Sequence, residues 1–138
     1  MAIGSLYELA WTVAAIVAFG AAILAGGLAR RAGGVVAVAW ALSLAVDGRD
    51  LSLERGLLFA IDLGIAAYLV WLTRSHRPAW LIFTAACATL LVVNYGVYVL
   101  LPQVREWAFL SVSHLWSAAI LVGLIWGAVA TWRRTRKD

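Results

Sequence analysis

Five long apolar segments, separated by short polar connections, constrain the fold of this chain more than any other feature. They cover approximately residues 6–29, 32–46, 55–73, 79–101 and 107–132. A helix of about 20 apolar residues crosses the hydrocarbon core of a bilayer. Strand-length windows show no alternation of apolar and polar residues, so a β-barrel is not expected. The sequence predicts an all-α, integral membrane five-helix bundle, with residues 1–138 as a single transmembrane domain.

Composition supports this class, with 64% hydrophobic residues, 13% charged residues and a mean hydropathy of +0.93. Soluble domains have about twice that share of charged residues. The second segment, at about 15 residues or roughly 22 Å, is short for a membrane span. Either it crosses with Arg30 and Arg31 reaching back to the surface, or it is re-entrant.

Charged residues between the segments predict the orientation. With five spans, one side of the membrane receives eight basic residues: Arg30, Arg31, Arg74, Arg77, Arg133, Arg134, Arg136 and Lys137. The other side receives a mixed set with an acidic balance: Glu8, Asp47, Arg49, Asp50, Glu54, Arg55, Arg105 and Glu106. The positive-inside rule then places the N-terminus outside and the C-terminus in the cytoplasm, in the inner (plasma) membrane of a bacterial-type cell.

Tryptophans fit this orientation. The positions expected at the membrane interfaces are Trp71, Trp80 and Trp132 on the inner side and Trp11 and Trp107 on the outer side. We expect Trp40, Trp116 and Trp126, which lie deeper, to pack between helices.

The third segment has two features that suggest a central position in the bundle. It carries one carboxylate, Asp62, and a stripe of small residues at four-residue spacing, Gly56, Ala60 and Gly64. Small residues at this spacing let membrane helices approach closely. Since the stripe and Asp62 lie on roughly opposite faces, we expect protein on both sides of this helix.

Asp62 leads a group of polar residues predicted to lie in one layer, below the outer surface. Asn94 and His114 fall at similar depth, roughly 9–11 Å from the outer boundary, and we expect His114 to pair with Asp62. Tyr98 and Ser111 are further candidates for binding or permeation. A charge at this depth costs a few kcal/mol, so it needs a partner or a function. A proton- or ion-handling site and a purely structural polar pair both remain open.

Two further features suggest contacts outside the single chain. Gly123 and Gly127 form a GxxxG spacing, which serves helix packing either within the bundle or between copies. The C-terminal cluster of Arg133, Arg134, Arg136 and Lys137 is expected to meet anionic lipid headgroups.

The sequence lacks the patterns of several other classes. We find no metal-ligand spacing, no phosphate-binding loop and no nucleophile elbow, so no metal, cofactor or catalytic residue is predicted. A nucleic-acid partner is not expected, because the basic residues form no aromatic-interleaved surface.

Three functional classes remain. The first is an oligomeric pore or carrier whose site is the outer polar layer. The second is an accessory or assembly subunit of a larger membrane complex. The third, a membrane enzyme using Asp62 and His114 as an acid–base pair, is the least favoured.

Overall fold

The computed structural model describes residues 3–46 and 51–137, which are helical apart from their short connections. They form α1 (Ile3–Ala25), α2 (Gly27–Val46), α3 (Leu51–Ser75), α4 (Ala79–Leu100) and α5 (Glu106–Thr135). Each helix is long and apolar enough to cross a membrane. The predicted all-α, five-helix membrane bundle is confirmed. The loop at 47–50, which supplied part of the acidic balance, lies outside the described residues.

The second helix is longer than its apolar segment suggests. It begins at Gly27 and has 20 residues, or about 30 Å, enough for a full span. Gly26 and Gly27 make the sharp turn from α1, both with positive φ, at 79° and 53°. The Arg30 Nε then donates a hydrogen bond to the carbonyl of Ile23, which would otherwise lack a partner at the end of α1.

The helices pack as a closed ring in chain order, with α1 also against α5 and a smaller contact between α2 and α5. Because successive helices run in opposite directions, the starts of α1, α3 and α5 share one end, which we call the cavity end. The opposite end, which we call the basic end, carries the cluster predicted to face the cytoplasm. Since α3 packs mainly against α2 and α4, the prediction that it lies centrally is wrong. Both α2 and α5 pack against three of the other helices.

The basic half of the bundle is filled by apolar side chains. Its largest fully buried side chains are Leu69, Leu72, Leu81, Leu124 and Thr84. The Thr84 hydroxyl donates to the carbonyl of Trp80, so its burial leaves no unsatisfied polar atom. This packing fills the bundle core between α3, α4 and α5.

The GxxxG spacing lies at the contact between α4 and α5. Gly123 faces Thr84 and Phe83, whereas Gly127 lies against the indole of Trp80. Both glycines are buried. A side chain at either position would keep α4 and α5 from approaching each other this closely. The structure therefore uses this spacing for packing within the chain.

The small-residue stripe of α3 has a different position. Gly56, Ala60 and Gly64 are exposed, and a Cβ added at either glycine would meet no atom of the described residues within 4 Å. Ala60 and Gly64 line a shallow apolar groove between α2 and α3. The close packing expected for this stripe is not formed among the described residues, because α3 turns this face outward.

Two tryptophans also differ from their expected positions. Trp80 is only 4 % exposed and belongs to the core, whereas Trp126 is 47 % exposed on the outside of α5. Trp71, Trp107 and Trp132 are exposed, as residues of an interfacial belt would be.

Candidate functional site

A cavity of about 700 Å³ lies between the helices in the half of the bundle near the cavity end. All five helices contribute to its wall. The polar lining residues are Glu8, Thr12, Ser43, Asp62, His114 and Ser117, and the aromatic ones include Tyr7, Trp11 and Trp40. Its volume falls in the range of pockets that hold drug-sized ligands, roughly 300–1,000 Å³.

The cavity ends in the middle of the bundle. The lining residues farthest from the cavity end are apolar: Phe19, Val36, Ile65, Leu91 and Ile120. These side chains belong to, or pack against, the buried cluster that continues through Leu69, Leu72 and Leu124 toward the basic end. Within the described residues the cavity is thus accessible from one end and closed by the core at the other.

Asp62 lies on the wall of this cavity. It is half-buried, eight residues beyond Glu54, or roughly 12 Å along α3. Among the described residues, no hydrogen bond or ion pair reaches its carboxylate. A carboxylate at membrane depth is costly unless it meets water, a cation or hydrogen-bond donors. The cavity gives this carboxyl group a space in which water, a cation or a donor can reach it.

His114 lines the same cavity from α5, but the predicted pairing with Asp62 is not formed: in the described part of the chain no ion pair joins the two. Instead, Nδ1 of His114 lies 2.7 Å from the carbonyl of Leu110. Since a carbonyl can only accept, Nδ1 carries a proton, and in the neutral ring Nε2 is left as an acceptor.

The His114 ring packs in a cluster of three rings with Tyr7 and Trp11 of α1. The centroid distances are 5.9 Å from Tyr7 to His114, 5.8 Å from Trp11 to His114 and 6.3 Å between Tyr7 and Trp11. These distances and tilted geometries are favourable for aromatic pairs. The cluster joins α1 to α5 and forms an aromatic part of the cavity wall.

The third predicted member of the polar layer, Asn94, is placed elsewhere. Its Nδ2 donates to the Ser113 Oγ at 3.0 Å and to the Phe109 carbonyl at 3.3 Å. These bonds connect α4 to α5, and Asn94 is not among the cavity-lining residues. Its amide therefore has a packing role in this structure.

The two remaining candidates also lie outside the cavity wall. Tyr98 stacks on Phe109, with ring centroids 4.3 Å apart. Ser111 is exposed, and its hydroxyl donates to the carbonyl of Trp107 in the preceding turn. Of the five predicted binding residues, the structure brings only Asp62 and His114 to one cavity.

Several lining residues were not predicted as site residues, chiefly those of α1. Glu8, Trp11, Thr12, Ala15 and Phe19 all line the cavity. Residues 8, 12, 15 and 19 follow each other at three- and four-residue steps, with Trp11 beside Thr12, and so share one helix face. That spacing, with an acid at its start, was the signal in the sequence. From the sequence alone, Glu8 bears only on the topology of the chain and Trp11 only on the membrane interface.

An exposed polar connection joins α3, α4 and α5 at the cavity end. Arg55 pairs with Glu106 at 3.6 Å, and the Tyr95 hydroxyl donates to the carbonyl of Arg55 at 3.1 Å. Both charged side chains are well exposed, so the pair contributes at most about 1 kcal/mol. The pair neutralises Arg55, which precedes the membrane part of α3. Neither Arg55 nor Glu106 lines the cavity.

The chemistry available in the cavity is that of two carboxylates, one imidazole, four hydroxyls (that of Tyr7 included) and aromatic rings. Among the residues searched, no group of three His, Cys, Asp or Glu side chains could hold a metal ion. The site is suited to binding through charge, hydrogen bonds and apolar contact. Comparisons with known protein families, with curated proteins and with solved structures find no match for this chain.

Proposed function

We propose that this chain is a membrane carrier that binds its ligand in the cavity, with Asp62 as the principal charged contact. The observation that supports this most is the Asp62 carboxylate, which lines a cavity of about 700 Å³ without a hydrogen-bond or ion-pair partner among the described residues. Intramembrane carboxylates are rare, and they mark substrate and ion pathways in transport proteins.

The closed inner end of the cavity favours a carrier over a permanently open pore. Carriers present a midplane site to one side of the membrane at a time, because helices close the other side. A cavity open at one end, with Leu69, Leu72 and Leu124 filling the other half, corresponds to one such state. Opening to the basic end would require α3, α4 or α5 to shift at this packed region.

The distribution of charge supports an orientation for this carrier. The basic end carries Arg74, Arg77 and the cluster Arg133, Arg134, Arg136 and Lys137. In the inner membrane of a bacterial-type cell, the positive-inside rule would put this end in the cytoplasm and the cavity end outside. Anionic headgroups of the inner leaflet would then meet the cluster, at about 1 kcal/mol per charge.

The exposed stripe of α3 supports a second candidate function, that of an accessory subunit. Gly56, Ala60 and Gly64 are free to receive a neighbouring helix. A Gly64→Leu variant would then lose a partner during purification in mild detergent. Such a neighbour could also be a second copy of the carrier, which a native mass measurement would show as a homo-oligomer.

A thiol-labelling experiment tests the carrier without knowing its cargo. In a Cys87→Ala background, single cysteines replace Ser117 in the cavity wall, Gln103 at the cavity end and His76 at the basic end. A membrane-impermeant thiol reagent is applied to vesicles of each orientation. Cysteines at 103 and 76 mark the two sides, because each lies in an exposed connection and reacts in one preparation only.

A carrier exposes its site to both sides in turn, so the cysteine at 117 should react in both preparations. The reaction should be faster in the preparation in which the cysteine at 103 reacts. If the cysteine at 117 reacts only in that preparation, the cavity is fixed in one state and the carrier proposal is wrong.

A further inference from the structure

We propose that the ligand of this cavity is a monovalent organic cation with apolar groups, bound with Asp62 as its counter-charge. This inference rests on the proposed function, since it assigns a chemical class to the ligand of the same site. It draws on the charge, the aromatic lining, the size and the ligand geometry of the cavity.

The charged residues that line the cavity favour a cation as its ligand. The lining carboxylates are those of Glu8 and Asp62, beside the His114 imidazole, and the described wall contains no lysine or arginine. The Arg55 guanidinium is paired with Glu106, outside the wall. An anion would meet the Glu8 carboxylate near the cavity end and the half-buried Asp62 carboxylate deeper in, where repulsion is weakly screened, with no fixed positive charge to offset them. A cation instead supplies the partner that Asp62 lacks.

The aromatic side chains in the cavity wall favour an organic cation over a strongly hydrated one. Tyr7, Trp11 and Trp40 line the cavity together with the His114 imidazole. The π faces of such rings attract ammonium groups, most strongly where water is excluded. The apolar residues Val36, Ile65 and Leu91 occupy the deeper wall and match the hydrocarbon part of an organic ligand.

Ligand number and size argue against a metal ion. Ca²⁺ takes six to eight oxygen ligands and Mg²⁺ an octahedral set, whereas no cluster of three suitable side chains exists among the residues searched. A cavity of about 700 Å³ is also far larger than any bare ion. An amine or quaternary ammonium carrying an aromatic or branched group would use both the charge and the volume.

Equilibrium dialysis of radiolabelled benzyltrimethylammonium against the full chain in neutral detergent tests the inference. Two probes with a similar aromatic body serve as competitors, the anion benzenesulfonate and the neutral 3-phenylpropan-1-ol. We expect saturable binding of the cation that neither competitor displaces. We expect Asp62→Asn to weaken binding at least about ten-fold, as loss of a partly buried ion-pair partner does. Glu106→Gln, outside the cavity, should leave binding unchanged.

Failure to bind the cation overturns the inference. Displacement by either competitor does the same, because it indicates an apolar or anion-binding site, and so does unchanged affinity in Asp62→Asn. Should Asp62→Asn not fold, Trp11→Leu replaces it: loss of one ring should weaken binding of the cation roughly two- to ten-fold. Equal affinity of this variant and the wild type for the cation would contradict the proposed site.

The result is independent of the labelling experiment on residue 117. Binding of the cation with one-sided labelling would retain the ligand class and remove the carrier. Two-sided labelling without cation binding would retain the carrier and remove the ligand class.

Discussion

Gly127 of α5 lies directly against the indole of Trp80 in α4, so that a Cβ at residue 127 would come within 2.5 Å of the ring carbon Cε3. Gly123, one turn earlier, faces Thr84 in the same way. This contact fixes α4 and α5 at short separation in the basic half of the bundle. The closed inner end of the cavity depends on it, because Leu81 and Leu124 fill the space beside these residues.

Gly127→Ala should therefore destabilise the protein. Buried Trp80 has little room to move, and overpacking of a tight core costs roughly 1–3 kcal/mol. We expect a lower thermal unfolding midpoint in detergent. The matched control is Gly64→Ala, whose Cβ would meet no described atom within 4 Å; it should be neutral or stabilising by up to about 1 kcal/mol. Equal midpoints for the two variants would mean that α4 and α5 do not pack as described.

The turn between α1 and α2 gives a second prediction. Gly26 has a φ of 79°, a conformation that costs an L-residue roughly 1–2 kcal/mol. Gly26→Ala should lower the free energy of unfolding by about that amount. Gly34→Ala, in a helical conformation with open space around it, should not. If both substitutions stabilise the protein, residue 26 is helical and α1 continues into α2.

The amide of Asn94 gives a third prediction. Asn94→Ala removes the hydrogen bonds to Ser113 and to the Phe109 carbonyl, and hydrogen bonds between membrane helices contribute about 0.6 kcal/mol on average. A double-mutant cycle with Ser113→Ala should give a coupling energy of that order. Cation binding should persist in Asn94→Ala, because Asn94 does not line the cavity. Loss of cation binding in a folded Asn94→Ala protein would mean that Asn94 contributes to the binding site.

The number and type of helices could be predicted from the sequence, because apolar length alone identifies a span. The start of α2 could not: Arg30 and Arg31 resemble a connection, but α2 includes them, and α1 already ends at Ala25. The structural reason is local, since two glycines make the turn and Arg30 caps the preceding helix.

Which helix face points inward was harder to predict. In a soluble bundle a polar stripe marks the outside, but membrane helices are apolar toward lipid as well as toward each other. The stripe of α3 and the indole of Trp126 were therefore expected inside and lie outside. Asp62 and His114 were expected in one polar layer, because a charge at membrane depth must avoid lipid, and both line the same cavity. The contribution of α1 to the cavity wall could not be predicted, because it depends on how α1 packs beside α5.

Both the carrier function and the cation site require that water can reach Asp62 from the cavity end. The direct measurement is the rate at which an impermeant thiol reagent modifies Asp62→Cys in the Cys87→Ala background, compared with Leu69→Cys, which lies seven residues further along α3 in the fully buried core. We predict rapid modification at residue 62 when the reagent is applied on the side of Gln103, and none at residue 69. Residue 62 reacting as slowly as residue 69 would contradict the cavity and the functions proposed for it.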